Sequence, residues 1–113
     1  MPDVEYANDV SQIDSIVLGA VEAAARMRGL SLSPAAKDFL LTKVRTNLDD
    51  ARRRGELEQH RREVESNTET LMNRIFEVQA NKAPQALQID IDSISDALGW
   101  LCSRYPTFFP FCP

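Results

Sequence analysis

Apolar side chains recur every three or four residues from about Val10 to Arg28. They are Ile13, Ile16, Val17, Ala20, Val21, Ala24 and Met27. This spacing places them on one face of a helix with 3.6 residues per turn. We expect Asp9 or Ser11 to cap the start of this first helix, and Gly29 to close it in the left-handed conformation.

A second helix is predicted to begin with the clearest start signal in the chain. Ser33 offers an N-cap oxygen, and Pro34 suits the first helical position, where its missing N–H costs nothing. The expected buried stripe is Leu40, Leu41, Val44, Leu48 and Ala51. The pattern predicts helix at least as far as Arg54.

The apolar face changes sides near Gly55. At about 100° per residue, Leu48 and Ala51 fall within about 40° of Val44, whereas the later apolar positions fall about 160–220° away. Those later positions are Leu57, Val64, Leu71, Ile75 and Val78. A break at Gly55 removes the conflict, because glycine readily leaves the helical conformation. The alternative is one continuous helix, supported by i, i+4 pairs such as Arg54–Glu58 and Glu58–Arg62.

After Gly55 the pattern predicts a third helix that ends near Asn81, before Lys82 and Pro84. Residues Leu87 to Asp92 then alternate apolar and polar, which is strand periodicity. A lone strand of six residues has no evident partner in this chain. We interpret it as an extended connector, or as an edge that pairs with its copy in a dimer.

A fourth helix is expected to follow, capped by Asp92 or Ser93. Its inward positions are Ile94, Ala97, Leu98 and Leu101. The last segment, Tyr105 to Pro113, contains prolines that prevent a helix. The fold class predicted is therefore all-α: a small bundle of about four helices with an irregular aromatic and proline-bearing C-terminus, forming one domain over residues 1–113.

Composition and charge narrow the class of protein. The chain is 43% hydrophobic and 27% charged, as a globular domain is. No apolar run approaches the roughly 20 residues that span a bilayer, and the acidic N-terminal stretch is unlike a secretory signal. We therefore expect a cytoplasmic protein without membrane contact. Its cysteines, Cys102 and Cys112, are expected to be reduced, although they are close enough in sequence to bridge if the chain turns back.

The residue types that support catalysis are few. His60 is the single histidine and lies in a charged stretch, so a solvated surface histidine is the expected role. The glutamates at 56, 58, 63, 65 and 69 stand among arginines, which disfavours a carboxyl with a raised pKa. The spacing of Asp90, Asp92 and Asp96 lacks the glycine and glutamate of a calcium loop. The sequence thus indicates no catalytic residue, no metal site and no cofactor, and favours a non-enzymatic role.

The middle of the chain is basic. Residues 26–62 carry ten bases and five acids, between acidic segments of net charge −5 and −4. Arg52, Arg53, Arg54, Arg61 and Arg62 are candidate contacts for an acidic partner. A regulator that contacts nucleic acid through these arginines is the alternative function, but interleaved glutamates cancel much of their field.

Aromatic residues are concentrated at the C-terminus. They are Trp100, Tyr105, Phe108, Phe109 and Phe111. Most are expected to close the domain's own core, with the tail docked, and exposed rings would be candidate contacts for a protein partner. The predicted function is a protein–protein interaction module, such as an adaptor, inhibitor or accessory subunit, that forms a homodimer. A small enzyme or ligand-binding bundle with a polar pocket between helices is a further alternative.

Overall fold

The computed structural model describes residues 10–113, which form five helices and two short strands. In chain order the elements are α1 (Val10–Met27), β1 (Ser31–Leu32), α2 (Pro34–Arg53), α3 (Leu57–His60), α4 (Glu63–Lys82), β2 (Gln88–Ile89) and α5 (Ile91–Arg104). The predicted all-α class is confirmed, as is the irregular C-terminal segment. The fifth helix beyond the predicted four is α3, which is a single turn.

The signals at the helix ends act largely as predicted. Ser33 Oγ accepts a hydrogen bond from the Ala36 amide at 3.1 Å, and Pro34 occupies the first helical position of α2. Gly29 closes α1 with a φ of 71°. The predicted caps of α1, Asp9 and the side chain of Ser11, lie outside the residues that the structure describes.

The helix ends at Gly55, which has a φ of 72°. The amide of Glu56 donates a hydrogen bond to the carbonyl of Ala51 at 2.8 Å, and the amide of Gly55 donates one to the carbonyl of Arg52 at 3.0 Å. This pair of bonds is the Schellman motif that ends many helices. The alternative of one continuous helix is therefore wrong. The apolar faces of α2 and α4 both enter one core.

The core lies between two helix pairs, α1 with α2 and α4 with α5, which also contact each other through α1–α4 and α2–α5. Its fully buried large side chains are Ile13, Val17, Val21, Leu40, Leu48, Leu71, Ile75, Ile89, Ile94, Leu101 and Phe111. The predicted inward position of Met27 is wrong, because this side chain is 87% exposed at the end of α1. Ala25 is buried in the last turn instead, four residues after Val21.

The segment around Ile89 does have a partner in its own chain. Ser31 pairs with Gln88 and Leu32 with Ile89, in parallel register. The amides of Ser31 and Ser33 donate to the carbonyls of Leu87 and Ile89, both at 3.0 Å. The interpretation as a connector, or as an edge that pairs only with its copy, is therefore wrong. The partner strand, Ser31–Leu32, was missed because two residues are too few to show a periodicity.

Helix α5 starts earlier than predicted, at Ile91 with Asp90 as N-cap residue. Ser93 is not the cap, because its hydroxyl donates to Gln79 Oε1 at 2.9 Å in the interior. Among residues 10–113, no helix is both long enough and apolar enough to cross a membrane.

Candidate functional site

The C-terminal tail docks onto its own domain. Phe108, Phe109 and Phe111 are buried. Asn47 Nδ2 donates to the carbonyl of Pro110 at 2.8 Å, and Asn67 Nδ2 donates to the carbonyl of Phe109 at 2.7 Å. These two amides lie on α2 and α4 and satisfy tail carbonyls that burial removes from water. Three of the five aromatic candidates thus belong to the core.

Cys102 and Cys112 form a disulfide, with their Cα atoms 5.6 Å apart. The expectation of reduced thiols is wrong for this structure. The chain turns back after α5, which brings Cys112 beside the last turn of that helix. The bond therefore joins the end of the docked tail to the helix from which the tail departs.

The other two aromatic candidates, Trp100 and Tyr105, reach the surface. Their exposed fractions are 38% and 51%. Trp100 lies on the outer side of α5, and Tyr105 follows the last residue of that helix. Large aromatic side chains held partly exposed on a rigid helix are typical anchors in protein interfaces.

Two arginines stack on Trp100. The Cζ atom of Arg74, from α4, lies 4.0 Å from a ring centroid of the indole, and that of Arg104, from α5, lies 4.5 Å from one. Both distances are within the range of a cation–π interaction. Arg74 also pairs with Glu77 at 3.4 Å. The three side chains Arg74, Trp100 and Arg104 form what we call the Trp100 stack.

The Trp100 stack carries more positive charge than the carboxylates paired with it in residues 10–113 neutralise. Arg104 is exposed, and within residues 10–113 it forms no ion pair with a carboxylate. Glu77 compensates Arg74 alone. An acidic group of another molecule can therefore approach Arg104 without displacing a carboxylate of residues 10–113.

The Trp100 stack lies midway along the seam where α4 and α5 pack antiparallel. At one end, Lys82 Nζ contacts Asp96 Oδ2 at 2.5 Å, a hydrogen bond that raises the pKa of Lys82 above its ordinary value. At the other end, Tyr105 lines a surface cavity of about 250 Å³. Its lining residues are Glu63, Asn67, Tyr105, Thr107 and Phe108. The seam thus offers an aromatic ring, a cation without a carboxylate partner among residues 10–113, and a shallow depression.

The first three arginines of the basic stretch are each paired with a carboxylate. Arg52 contacts Asp49 at 3.1 Å, Arg53 contacts Asp50 at 2.5 Å, and Arg54 contacts Glu56 at 3.2 Å. The remaining two differ from each other. Arg61 is largely buried beside Glu58, at 2.9 Å, whereas Arg62 is exposed. The pairs reduce the positive potential that the sequence suggested.

His60 is half-buried rather than solvated. Its ring centroid lies 5.5 Å from that of Phe109, and its Nδ1 is 3.8 Å from Glu63 Oε2. It therefore covers the docked tail at the turn between α3 and α4. No group of three His, Cys, Asp or Glu side chains within the described part of the chain could hold a metal ion.

Sequence reasoning missed Arg74 and Arg104 as site residues. The i, i+4 spacing of Trp100 and Arg104 on one helix was a usable signal, because such pairs lie on the same face. The contact between Arg74 and Trp100 joins two helices and has no local signature.

Comparison with models of protein families, with curated proteins and with solved structures finds no match to this chain.

Proposed function

We propose that this protein is a non-enzymatic protein-binding module, acting as an adaptor, inhibitor or accessory subunit. The Trp100 stack is its contact surface, with Tyr105 at the edge. The observation that carries this proposal is a partly exposed tryptophan on which two arginines stack. Tryptophan, tyrosine and arginine are the residue types enriched among those that dominate binding energy at protein interfaces.

The chemistry of the Trp100 stack defines the partner. The partner presents a carboxylate to Arg104 and an apolar side chain to the indole ring. Stacking on the indole restrains both guanidinium groups before binding, which reduces the side-chain entropy lost when the complex forms. The partner segment is therefore acidic and contains at least one large apolar residue.

The nucleic-acid alternative has weaker support. Phosphate binding needs a continuous positive potential, and Arg52, Arg53 and Arg54 already have carboxylate partners.

The cytoplasmic location also remains a prediction. A disulfide between Cys102 and Cys112 favours an oxidising compartment instead. Mass spectrometry of protein isolated from its native host can count its free thiols. Two free thiols would favour the cytoplasm, and none would favour an oxidising compartment.

The binding proposal is tested by quantitative capture from extracts of the native host. Wild type is compared with Trp100→Ala, Arg104→Glu and Arg26→Glu. Arg26 is an exposed arginine in the last turn of α1, so its substitution makes the same charge change away from the Trp100 stack. We expect a set of proteins that wild type and Arg26→Glu both capture to be absent from the captures by Trp100→Ala and Arg104→Glu. Equal capture by all four proteins contradicts the proposal.

A further inference from the structure

The chain consists of two halves of the same architecture. The first half, α1–β1–α2, and the second half, α4–β2–α5, each contain a helix, a strand of two residues and a second helix. In each half, the residue after the strand is an N-cap, Ser33 in the first and Asp90 in the second. Residues 54–62, here called the hinge, connect the halves.

Ion pairs join helices within each half. Asp14 pairs with Arg45 and Glu22 pairs with Lys37, between α1 and α2. In the second half, Lys82 pairs with Asp96. The disulfide also lies within the second half and its tail. Each half therefore has contacts that do not depend on the position of the other.

The halves contact each other through apolar packing, the β1–β2 pairing and a few polar contacts. Leu32 and Ile89 are buried side by side in that pairing. Arg28, which follows α1, lies over the ring of Phe76 in α4, with its Cζ 4.0 Å from the centroid. Asn47 binds the tail through Pro110. A second copy of this chain offers the same groups, so each contact can form between copies.

Gly55 makes the largest departure from helical geometry in the hinge, with a φ of 72°. Its neighbours Arg54 and Glu56 depart less, with ψ angles of −3° and −1° where a helix has about −42°. The rest of the hinge is close to helical, because Leu57–His60 is helix α3 and Arg61 and Arg62 have right-handed helical angles. A return of Gly55 and its two neighbours to helical angles would therefore join α2, α3 and α4 into one nearly continuous helix.

A straight helix could not bury both of its apolar faces within one chain. Val44 and Leu48 would face one side, and Val64 and Leu71 would lie roughly on the opposite side. Two copies crossing at the hinge would cover these faces reciprocally. Salt bridges spaced i, i+4, such as Arg54–Glu58 and Glu58–Arg62, would support the straight form.

We propose that this chain has a second folded state, a homodimer in which the first half of one copy packs on the second half of the other. The hinge is straight in this dimer, and every contact between halves is made again across copies. Exchange of identical elements is a low-cost route to dimers, because it uses an interface that the monomer already has. The inference does not depend on the Trp100 stack, which lies within the second half.

Two glycines provide a matched test. Gly29 and Gly55 both have left-handed φ angles, both close a helix with the same pair of backbone bonds, and a Cβ at either meets no atom within 4 Å. Alanine therefore strains the backbone similarly at both. Straightening the hinge relieves the strain at position 55 in both copies, whereas Gly29 lies inside the first half and gains nothing.

The first measurement is molar mass by light scattering over a range of concentrations. We expect Gly55→Ala to strengthen dimerisation by about tenfold or more relative to wild type, since two strained residues are relieved per dimer. Gly29→Ala should associate no more than wild type. A Gly55→Ala protein that stays monomeric at millimolar concentration overturns the proposal.

A second measurement distinguishes exchange from ordinary association. Ser31 and Gln88 are exposed neighbours in the β1–β2 pairing, so the Ser31→Cys/Gln88→Cys variant should oxidise within one chain in the monomer. With Gly55→Ala added, the same bond should link two chains on a non-reducing gel. A dimer whose cysteines link only within chains would be ordinary association and would overturn the proposal.

If Gly55→Ala does not fold, the same cysteine pair is used with the natural hinge. The Ser31→Cys/Gln88→Cys protein is refolded from denaturant at increasing concentration and then oxidised. We expect the fraction linked between chains to rise with concentration. Links within single chains alone, at every concentration up to millimolar, overturn the proposal.

Discussion

Asp14 is fully buried in α1 and pairs with Arg45 of α2, whose side chain remains 55% exposed. The guanidinium thus reaches from the surface to a carboxylate that water does not contact. Ser15 Oγ adds a hydrogen bond to the same carboxyl at 3.3 Å. The pair joins α1 to α2, and the buried carboxylate of Asp14 relies on Arg45 for its compensating charge. Because the Arg45 side chain is largely exposed, truncating it removes that charge without creating a cavity.

Removal of that partner should destabilise the fold. We expect Arg45→Ala to lower the free energy of unfolding by about 1–3 kcal/mol, because it leaves a buried carboxylate without its charged donor. Urea denaturation at pH 7 measures the change. Lys43→Ala is the control, since Lys43 is an exposed cation on the same helix. A loss from Arg45→Ala no larger than that from Lys43→Ala would show that the pair contributes nothing.

The docked tail should stabilise the domain more than its disulfide does. Truncation after Arg104 removes three buried phenylalanines and should cost more than about 4 kcal/mol. The Cys102→Ser/Cys112→Ser variant should lose about 2–3 kcal/mol or less, as expected for a short loop. Thermal melting of the two proteins compares them. An unchanged melting temperature after truncation would mean that the tail does not belong to the core.

Replacing Gly99 should stabilise the protein. Gly19 and Gly99 lie in helices, where glycine usually allows another element to pack closely. Close packing does not explain them here, because a Cβ at either position meets no atom within 4 Å. We expect Gly99→Ala to raise the free energy of unfolding by about 0.4–1 kcal/mol through helix propensity. A destabilised Gly99→Ala protein, measured by urea denaturation, would contradict this account.

The basic stretch should not bind duplex DNA at physiological salt. The carboxylates of Asp49, Asp50 and Glu56 neutralise the arginines that would contact phosphates. Fluorescence anisotropy with a labelled duplex checks this expectation. Micromolar affinity that falls steeply as salt rises would favour the nucleic-acid function instead.

Local chemistry predicted the helix ends well. Ser33 with Pro34 starts α2, and the glycines at 29 and 55 end helices, because each signal acts over a few neighbouring residues. The reversal of the apolar face at Gly55 also allowed the break to be located. These features give the number of long helices and the faces that they bury.

Contacts between distant residues could not be predicted in this way. The alternation around Ile89 was seen in the sequence, but its partner strand, Ser31–Leu32, is too short to leave a pattern. The contact of Arg74 with Trp100 requires the antiparallel packing of α4 and α5 to be known first. The sequence therefore predicted the aromatic residues of the candidate site, but not the two arginines that stack on Trp100.

Trp100 is the single tryptophan of the chain, so its fluorescence reports directly on the proposed contact surface. The most direct test titrates a purified captured partner into wild type, Arg104→Glu and Arg26→Glu while following this emission. We predict a change of emission on binding, a dissociation constant at least about tenfold weaker for Arg104→Glu, and one within about twofold of wild type for Arg26→Glu. Equal affinity of all three proteins, or saturable binding that leaves Trp100 emission unchanged, would contradict the assignment of the binding surface.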